Sequence, residues 1–478
     1  MDERTSVNPA AAGATAALPA GRQAGYGVGV YGIFLVWMMT AVTLMNFYTE
    51  VLGLTAAEAG TIFLVASIWD AVTDPVMGWL NDRVRSRWGR YRPWLLFAAP
   101  PFALAFLAMF APPPVADPAS RFALALALHL LFRTTYTAVY MPYTAMIARL
   151  STSARERAQL AGVKNMFTAG AALTISFFAF DAIAWFGGGD DTRGFRMTAM
   201  LIAAVSVAAL WLCFAATREP PEAPHEAGGN PPLADTLSAL VANHAFWLIF
   251  FGVIAFTGCY TMINKSIVYD AQWNLGDRTL ARYPLTAIAL AGILSPLLWV
   301  PVSKATSKRT VWMAGCLVGA AALGLLWFLP GLPLWPRTAL FFAGGVGIHA
   351  VLMTFFAAVA DAADHGEWKT GVRVEALLFG CVSFANKVSL GLGTWALGLG
   401  LDSAGYVSGG ADGGQSDAAL RAITLWMTLV PAGGFLLSAA IIAFFPVSNA
   451  VHARVEAELK ARGSSAASNP LGPDRKPL

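Results

Sequence analysis

Two aspartates, Asp70 and Asp74, interrupt an otherwise apolar run from about Gly60 to Leu80. If that run crosses a bilayer, each acid costs at least about 2.5 to 3.5 kcal/mol near its centre, so the pair requires a positive partner. A spacing of i and i+4 places both carboxylates on one face of a helix. Pro75 follows directly, and a helical proline leaves the carbonyl of Ala71 without its usual donor, adding an oxygen beside the acids. Residue types, spacing and setting together describe a cation site.

Most of the chain shares that apolar character. Hydrophobic residues make up 57% and charged residues 13%, far from soluble averages, which makes this a polytopic membrane protein. Apolar runs of about 20 residues or more fall near 24–48, 58–80, 93–112, 121–149, 159–186, 195–217, 245–270, 283–303, 310–331, 337–360, 375–401 and 421–446. The expected architecture is all-α, about twelve transmembrane helices. Residues 1–22, rich in Ala and Gly, read as a disordered tail without a signal peptide, and residues 447–478 as a polar tail. Between the sixth and seventh runs, residues 218–244 are rich in Pro and polar side chains, dividing the chain into six-span halves at 23–217 and 245–446. Cys213, Cys259, Cys316 and Cys381 all lie within apolar runs and read as buried small hydrophobes.

Cation placement sets the expected topology. Arg83, Arg85, Arg87, Arg90 and Arg92 follow the second run, Arg155 and Arg157 the fourth, and Lys304, Lys308 and Arg309 the eighth. The positive-inside bias puts these connections, the central loop and both tails in the cytoplasm. It also accounts for the net charge of +4 without a nucleic-acid partner.

Other polar groups lie within the spans. Thr137, Tyr140 and Thr144 share a helix face around Pro142, and Tyr26, Tyr31 and Trp37 are candidate stacking platforms in the first span. Arg133, Lys265 and Lys387 fall inside spans and Lys164 enters the fifth. Two readings stand for these cations: contact with substrate, or neutralisation of Asp70 and Asp74 with the remainder snorkelling to an interface. His129, one turn before Arg133, reads as a satisfied packing residue.

The stretch IWDAVTDPVMGWLNDRVRSRWGRYRPWLL, from Ile68 to Leu96, resembles the signature of the glycoside-pentoside-hexuronide cation symporter family, which includes the melibiose permease. Three further segments agree: YGVGVYGIFLVWMMTAVTLMNFYTEVLGL, YTAVYMPYTAMIARLSTSARERAQL from Tyr136, and ADHGEWKTGVRVEALLFGCVSFANK from Ala363. The resemblance implies a major facilitator fold of two six-helix bundles. It implies a sodium or proton site at Asp70, Thr73, Asp74 and Thr137, with Thr73 where many relatives carry Asn. Where galactoside carriers hold sugar through two acids and an arginine, this chain has Phe34, Tyr140 and Asn165. Tyr140, Thr144, Asn165, Arg133, Lys387 and Lys265 are therefore the substrate candidates, Lys387 matching a lysine of the melibiose permease. Loss of the two acids and retention of three cations predict tolerance of an acidic glycoside. Gly78, Asp82 and Arg83 match the facilitator pattern GxxxDR; with Arg87, Arg157 and Arg373 they serve either as topogenic charges or as a cytoplasmic gate.

The function expected is cation-coupled symport of a glycoside, oligosaccharide or hexuronide by alternating access, in a monomer in the plasma membrane (the inner membrane of a Gram-negative cell). The coupling ion is sodium or a proton, lipid surrounds the chain, and no cofactor is expected. An aspartate-motif membrane enzyme resembling prenyltransferases would need a second acid-rich motif, and Asp361 and Asp364, at a predicted helix end, do not supply one. A transporter-shaped sensor or a lipid-handling facilitator is the third reading.

Overall fold

A computed structural model describes residues 19–81, 83–111, 117–151, 153–219, 233–409 and 414–468. The first half contains α1 (Ala20–Asn46), α2 (Ala56–Asn81), α3 (Arg92–Phe97), α4 (Ala99–Met109), α5 (Pro118–Leu150), α6 (Ala154–Gly187) and α7 (Asp191–Ala216). After α8 (Leu233–Ala242), the second half contains α9 (His244–Tyr269), α10 (Arg282–Ala305), α11 (Lys308–Phe328), α12 (Leu334–Thr370), α13 (Glu375–Ser403), α14 (Asp417–Met427) and α15 (Leu429–Ile442), and α16 (Asn449–Ser468) follows. Eleven segments among the described residues are long and apolar enough to cross a membrane, α14 and α15 counting as one; the shorter α4 with α3 ahead of it adds a twelfth. The chain is thus a multi-pass membrane protein.

Departures from the expected pattern have local causes. The third span bends at Ala98 because Pro100 and Pro101 supply no N–H to the preceding turn. The first helix begins at Ala20, inside the stretch expected to be a tail; residues 1–18 of that tail lie outside the described set. The central connection contains α8, which buries Ala239 and Leu240, while its Pro-rich part at 220–232 is not described. The tail after 447 carries α16, in which Arg454–Glu458 and Lys460–Glu456 pair at i and i+4, Val455 is buried, and Glu458 accepts from Trp368 at 2.6 Å. Residues 469–478 are not described.

The halves repeat one feature that composition conceals. The first helix of each ends in a π-helical turn, Phe47–Val51 after α1 and Asp270–Asn274 after α9. The two turns meet: Asn46 donates to Gln272 at 2.9 Å, Gln272 donates to Glu50 at 3.1 Å, and Thr49 and Tyr269 share a hydroxyl hydrogen bond of 3.0 Å. Around them, Tyr406 donates to Glu50 at 2.6 Å and Asp402 accepts from the backbone N–H groups of Ala56 and Ala57. Arg278 grips Asp191 at 2.6 and 2.8 Å, and Arg282 reaches Asp181 at 2.6 Å. All of these bonds join one half to the other at the end of the bundle opposite the two tails.

From that end inward, α2 and α13 approach closely through small residues. A Cβ on Gly398 would lie 2.2 Å from the Ala56 carbonyl oxygen, and one on Gly391 would lie 2.7 Å from the Ser67 side chain. Without a hydrophobic drive between lipid-solvated helices, such close backbone packing is a main source of association. At the tail end, polar contacts hold loops to their own half. Glu219 accepts from the backbone N–H groups of Arg90, Tyr91 and Arg92 at 2.8, 2.9 and 2.7 Å. Lys308 pairs with Asp361 at 2.6 Å.

Candidate cation and substrate site

Asp70 and Asp74 project from the middle of α2 toward α5 and α13. Arg133 of α5 donates to Asp70 Oδ2 at 2.9 Å. Lys387 of α13 donates to Asp74 Oδ2 and lies 3.8 Å from Asp70 Oδ2, while Thr137 of α5 donates to Asp74 Oδ1 at 3.1 Å. The cluster thus contains two acids and two cations, and its Lys387–Asp74 pair crosses between the halves in mid-membrane.

The two ion pairs differ in access. The Asp70 side chain is 1% exposed and Arg133 7%, whereas Asp74 is 19% exposed and Lys387 23%. Arg133 is further held by His129, whose Nε2 faces its Nε at 3.3 Å, and by the ring of Trp37, whose centroid lies 4.8 Å away. His129 in turn meets the Tyr48 hydroxyl at 3.3 Å. These contacts satisfy the arginine side of the buried pair, whereas Asp70 Oδ1 is buried without a partner among the described residues.

An aromatic wall adjoins the cluster. Trp37 stacks on Tyr136 with centroids 4.8 Å apart, Tyr136 stacks on Tyr140 at 5.3 Å, and Phe34 meets Tyr140 edge-on at 6.0 Å. Ring faces beside hydrogen-bonding groups are what a sugar pocket requires. Tyr26 belongs elsewhere, buried against Tyr143 at 4.6 Å, and Tyr31 shares a hydrogen bond with Thr174 at 3.0 Å.

The other expected site residues take the following places. The Thr73 hydroxyl turns back to the carbonyls of Trp69 at 3.0 Å and Asp70 at 3.4 Å, as short hydroxyl side chains in helices do, and bonds neither carboxylate. The Thr144 hydroxyl likewise donates to Met141 at 2.9 Å. Lys265 is neither beside the acids nor snorkelling: it is 3% exposed, donates to the Ala41 carbonyl at 3.1 Å and caps the Phe63 ring at 3.7 Å. Arg133 and Lys387 sit on the acids. Asn165 is exposed, and its neighbour Lys164 points inward, with Nζ 5.8 Å from the centre of the Tyr140 ring. Of the two readings open for Lys164, its position departs from the snorkelling one; spacing does not reveal which way a long side chain turns.

Of the residues predicted for a cytoplasmic gate, Asp82 lies outside the described set. Arg83 donates to the Trp79 carbonyl at 3.3 Å and stacks 3.5 Å from the Trp79 ring, and Arg87 stacks on Trp88 at 4.3 Å. Arg157 donates to the Ser151 carbonyl at 3.4 Å. Arg373 pairs with Glu367 and Glu375 at 2.7 and 2.5 Å, and hydrogen bonds to Glu375 first and Glu367 second hold its guanidinium more firmly protonated than usual. These contacts lie within one half. Glu50, Asp402 and Glu219, which organise the two ends, were not anticipated, since each acts on a segment distant in sequence.

Comparison with known proteins fits this arrangement. Residues 25–449 match the family described as MFS/sugar transport protein. An isoprimeverose transporter of Lactiplantibacillus pentosus is 30% identical over 455 residues, covering 94% of this chain and 93% of the relative. An inner membrane symporter of Escherichia coli is 27% identical, covering 87% and 89%, and a proposed sulfoquinovose importer of the same species is 27% identical, covering 89% and 90%. Among solved structures, a variant of a nucleoside transporter aligns with a TM-score of 0.65 at 14% identity, covering 89% of this chain and 100% of the other. A D-xylose-proton symporter aligns at 0.63 and 13% identity, covering 89% and 97%. These two likenesses establish the major facilitator fold.

Proposed function

Because the chain belongs to the MFS/sugar transport protein family, as one of its cation-coupled symporters, we propose that it carries a glycoside across the plasma membrane by alternating access, with the exchangeable cation site at Asp74. The observation that carries this reading is the Lys387–Asp74 pair, a mid-membrane charge contact between the two halves. A cation arriving at Asp74 competes with Lys387 for the carboxylate and so alters how the halves hold together. Thr137, on the same carboxylate, passes the change to α5 and to the aromatic wall of Tyr136 and Tyr140. Linkage makes the effect reciprocal: bound sugar tightens the cation by the factor by which the cation tightens sugar, about 5- to 150-fold for a coupling of about 1 to 3 kcal/mol.

The basic connections favour a cytoplasmic tail end. In that orientation the zipped end, with Glu50, Gln272 and Arg278, faces outward, and the conformation is closed to the outside.

The sugar is a glycoside of undetermined charge. The solutes in two relatives' names differ in charge: isoprimeverose is neutral and sulfoquinovose anionic. Here Asp70 and Asp74 cancel Arg133 and Lys387, which removes the positive field expected to favour an acidic sugar. Lys164 forms no ion pair among the described residues and stands beside Tyr140. The deciding experiment is uptake into proteoliposomes of labelled isoprimeverose, sulfoquinovose, a uronide and its neutral parent under imposed sodium or proton gradients. Concentrative uptake of at least one is expected, and binding without accumulation across the whole panel would favour a sensor instead.

A further inference from the structure

Three of the four carboxylate oxygens at the site already accept a hydrogen bond: Asp70 Oδ2 from Arg133, Asp74 Oδ2 from Lys387 and Asp74 Oδ1 from Thr137. The fourth, Asp70 Oδ1, is buried without a partner among the described residues. An alkali cation needs several oxygens turned toward it together. Guanidinium and ammonium groups carry donors only and cannot serve as ligands. A sodium ion would also enter a cluster whose charges already cancel, and would meet two positive groups there.

The pairs are not equally replaceable. Arg133 is fixed on three sides, by Asp70, His129 and the Trp37 ring, and both it and Asp70 are sealed from solvent. Lys387 and Asp74 are about a fifth exposed. A competing ion can therefore reach Asp74 and not Asp70.

We propose that Arg133 is a tethered cation that permanently fills the place at Asp70, so that the chain excludes sodium. The proposal rests on the symporter reading and deepens it.

Thermal unfolding of the purified full-length protein tests this without any sugar, so its outcome is separate from that of the uptake panel. The wild-type midpoint is expected to be the same in sodium chloride as in choline chloride at equal ionic strength throughout a sodium titration. A saturable, sodium-specific rise would overturn the proposal. Arg133→Gly should unfold earlier in choline and gain a saturable stabilisation by sodium that a second change, Asp70→Asn, removes. A folded Arg133→Gly protein indifferent to sodium would show that Arg133 is not what excludes the ion. If Arg133→Gly does not fold, the wild-type sodium titration still decides the matter.

Discussion

The two halves meet in two polar regions of opposite character. At the closed end, contact is spread over many modest bonds, such as Glu50 with Tyr406 and Gln272, Asp402 on the start of α2, and Arg278 on an Asp191 that is half exposed. In mid-membrane, among the described residues, the ion pair that joins them is Lys387 with Asp74, beside the sealed pair of Arg133 and Asp70, with Lys265 reaching Ala41 and Phe63 between the two regions. Exposed pairs are worth roughly 0.2 to 1 kcal/mol each, whereas breaking a buried pair costs about 3 to 5 kcal/mol because a charge is left unmatched. The closed end can therefore unzip in small steps, while the middle responds to one charge. A carrier needs that division: a closure that opens without a large barrier, and a switch that ligand charge can throw.

The comparison breaks most visibly at the acids. Asp74→Asn and Asp70→Asn should both abolish gradient-driven uptake. Only Asp70→Asn should also destabilise the folded protein, by about 3 to 5 kcal/mol, because it strands buried Arg133. Uptake assays paired with denaturation of the purified proteins check both parts, and wild-type uptake in either mutant would remove the acids from the mechanism.

Next in size is Lys387→Ala, which cuts the mid-membrane link between the halves. Sugar affinity should fall and lose its cation dependence, by a factor within the roughly 5- to 150-fold range of ordinary coupling energies. Binding measured on purified protein at several cation concentrations tests this; unchanged affinity throughout would make Lys387 purely structural.

At the closed end Arg278→Ala removes a bidentate grip on Asp191 that is partly exposed. The population open at this end should rise only about two- to fivefold, in keeping with an exposed pair. Distances between spin labels placed on the two halves would report it, and a complete switch of conformation would show that this end is held by one contact rather than many.

The smallest effect is expected from Thr73→Val. Its hydroxyl bonds the backbone of its own helix, so uptake and cation dependence should stay near wild type. A loss as large as that of Asp74→Asn would restore Thr73 as a ligand.

Much of the scaffold is legible in the residues. Apolar runs mark the spans, the i, i+4 spacing puts Asp70 and Asp74 on one face, and Pro100–Pro101 signals the bend between α3 and α4. The two tail and linker helices were hidden by polar composition, although the Arg454–Glu458 and Glu456–Lys460 spacing in α16 is a readable helical signal. The cluster's partners are another matter. Thr137 and Arg133 lie 63 residues from the acids they bond, and Lys387 lies 313 residues from Asp74.

The amino-acid sequence alone determined that this is a multi-pass membrane protein of the symporter type, because apolar length, cation bias and the Ile68–Leu96 signature are properties of contiguous segments. Tertiary structure alone decided which groups each buried charge meets. The residues left Arg133, Lys387 and Lys265 open as sugar ligands, the first two also as counter-ions, and Lys164 and Lys265 as snorkelling side chains; packing sets Arg133 between Asp70 and Trp37, Lys387 on Asp74, Lys265 on Phe63 and Lys164 beside Tyr140. The physical reason is that a charge in a low-dielectric interior is governed by whatever lies within a few ångströms of it, and for these residues that neighbourhood is assembled from helices far apart in the chain.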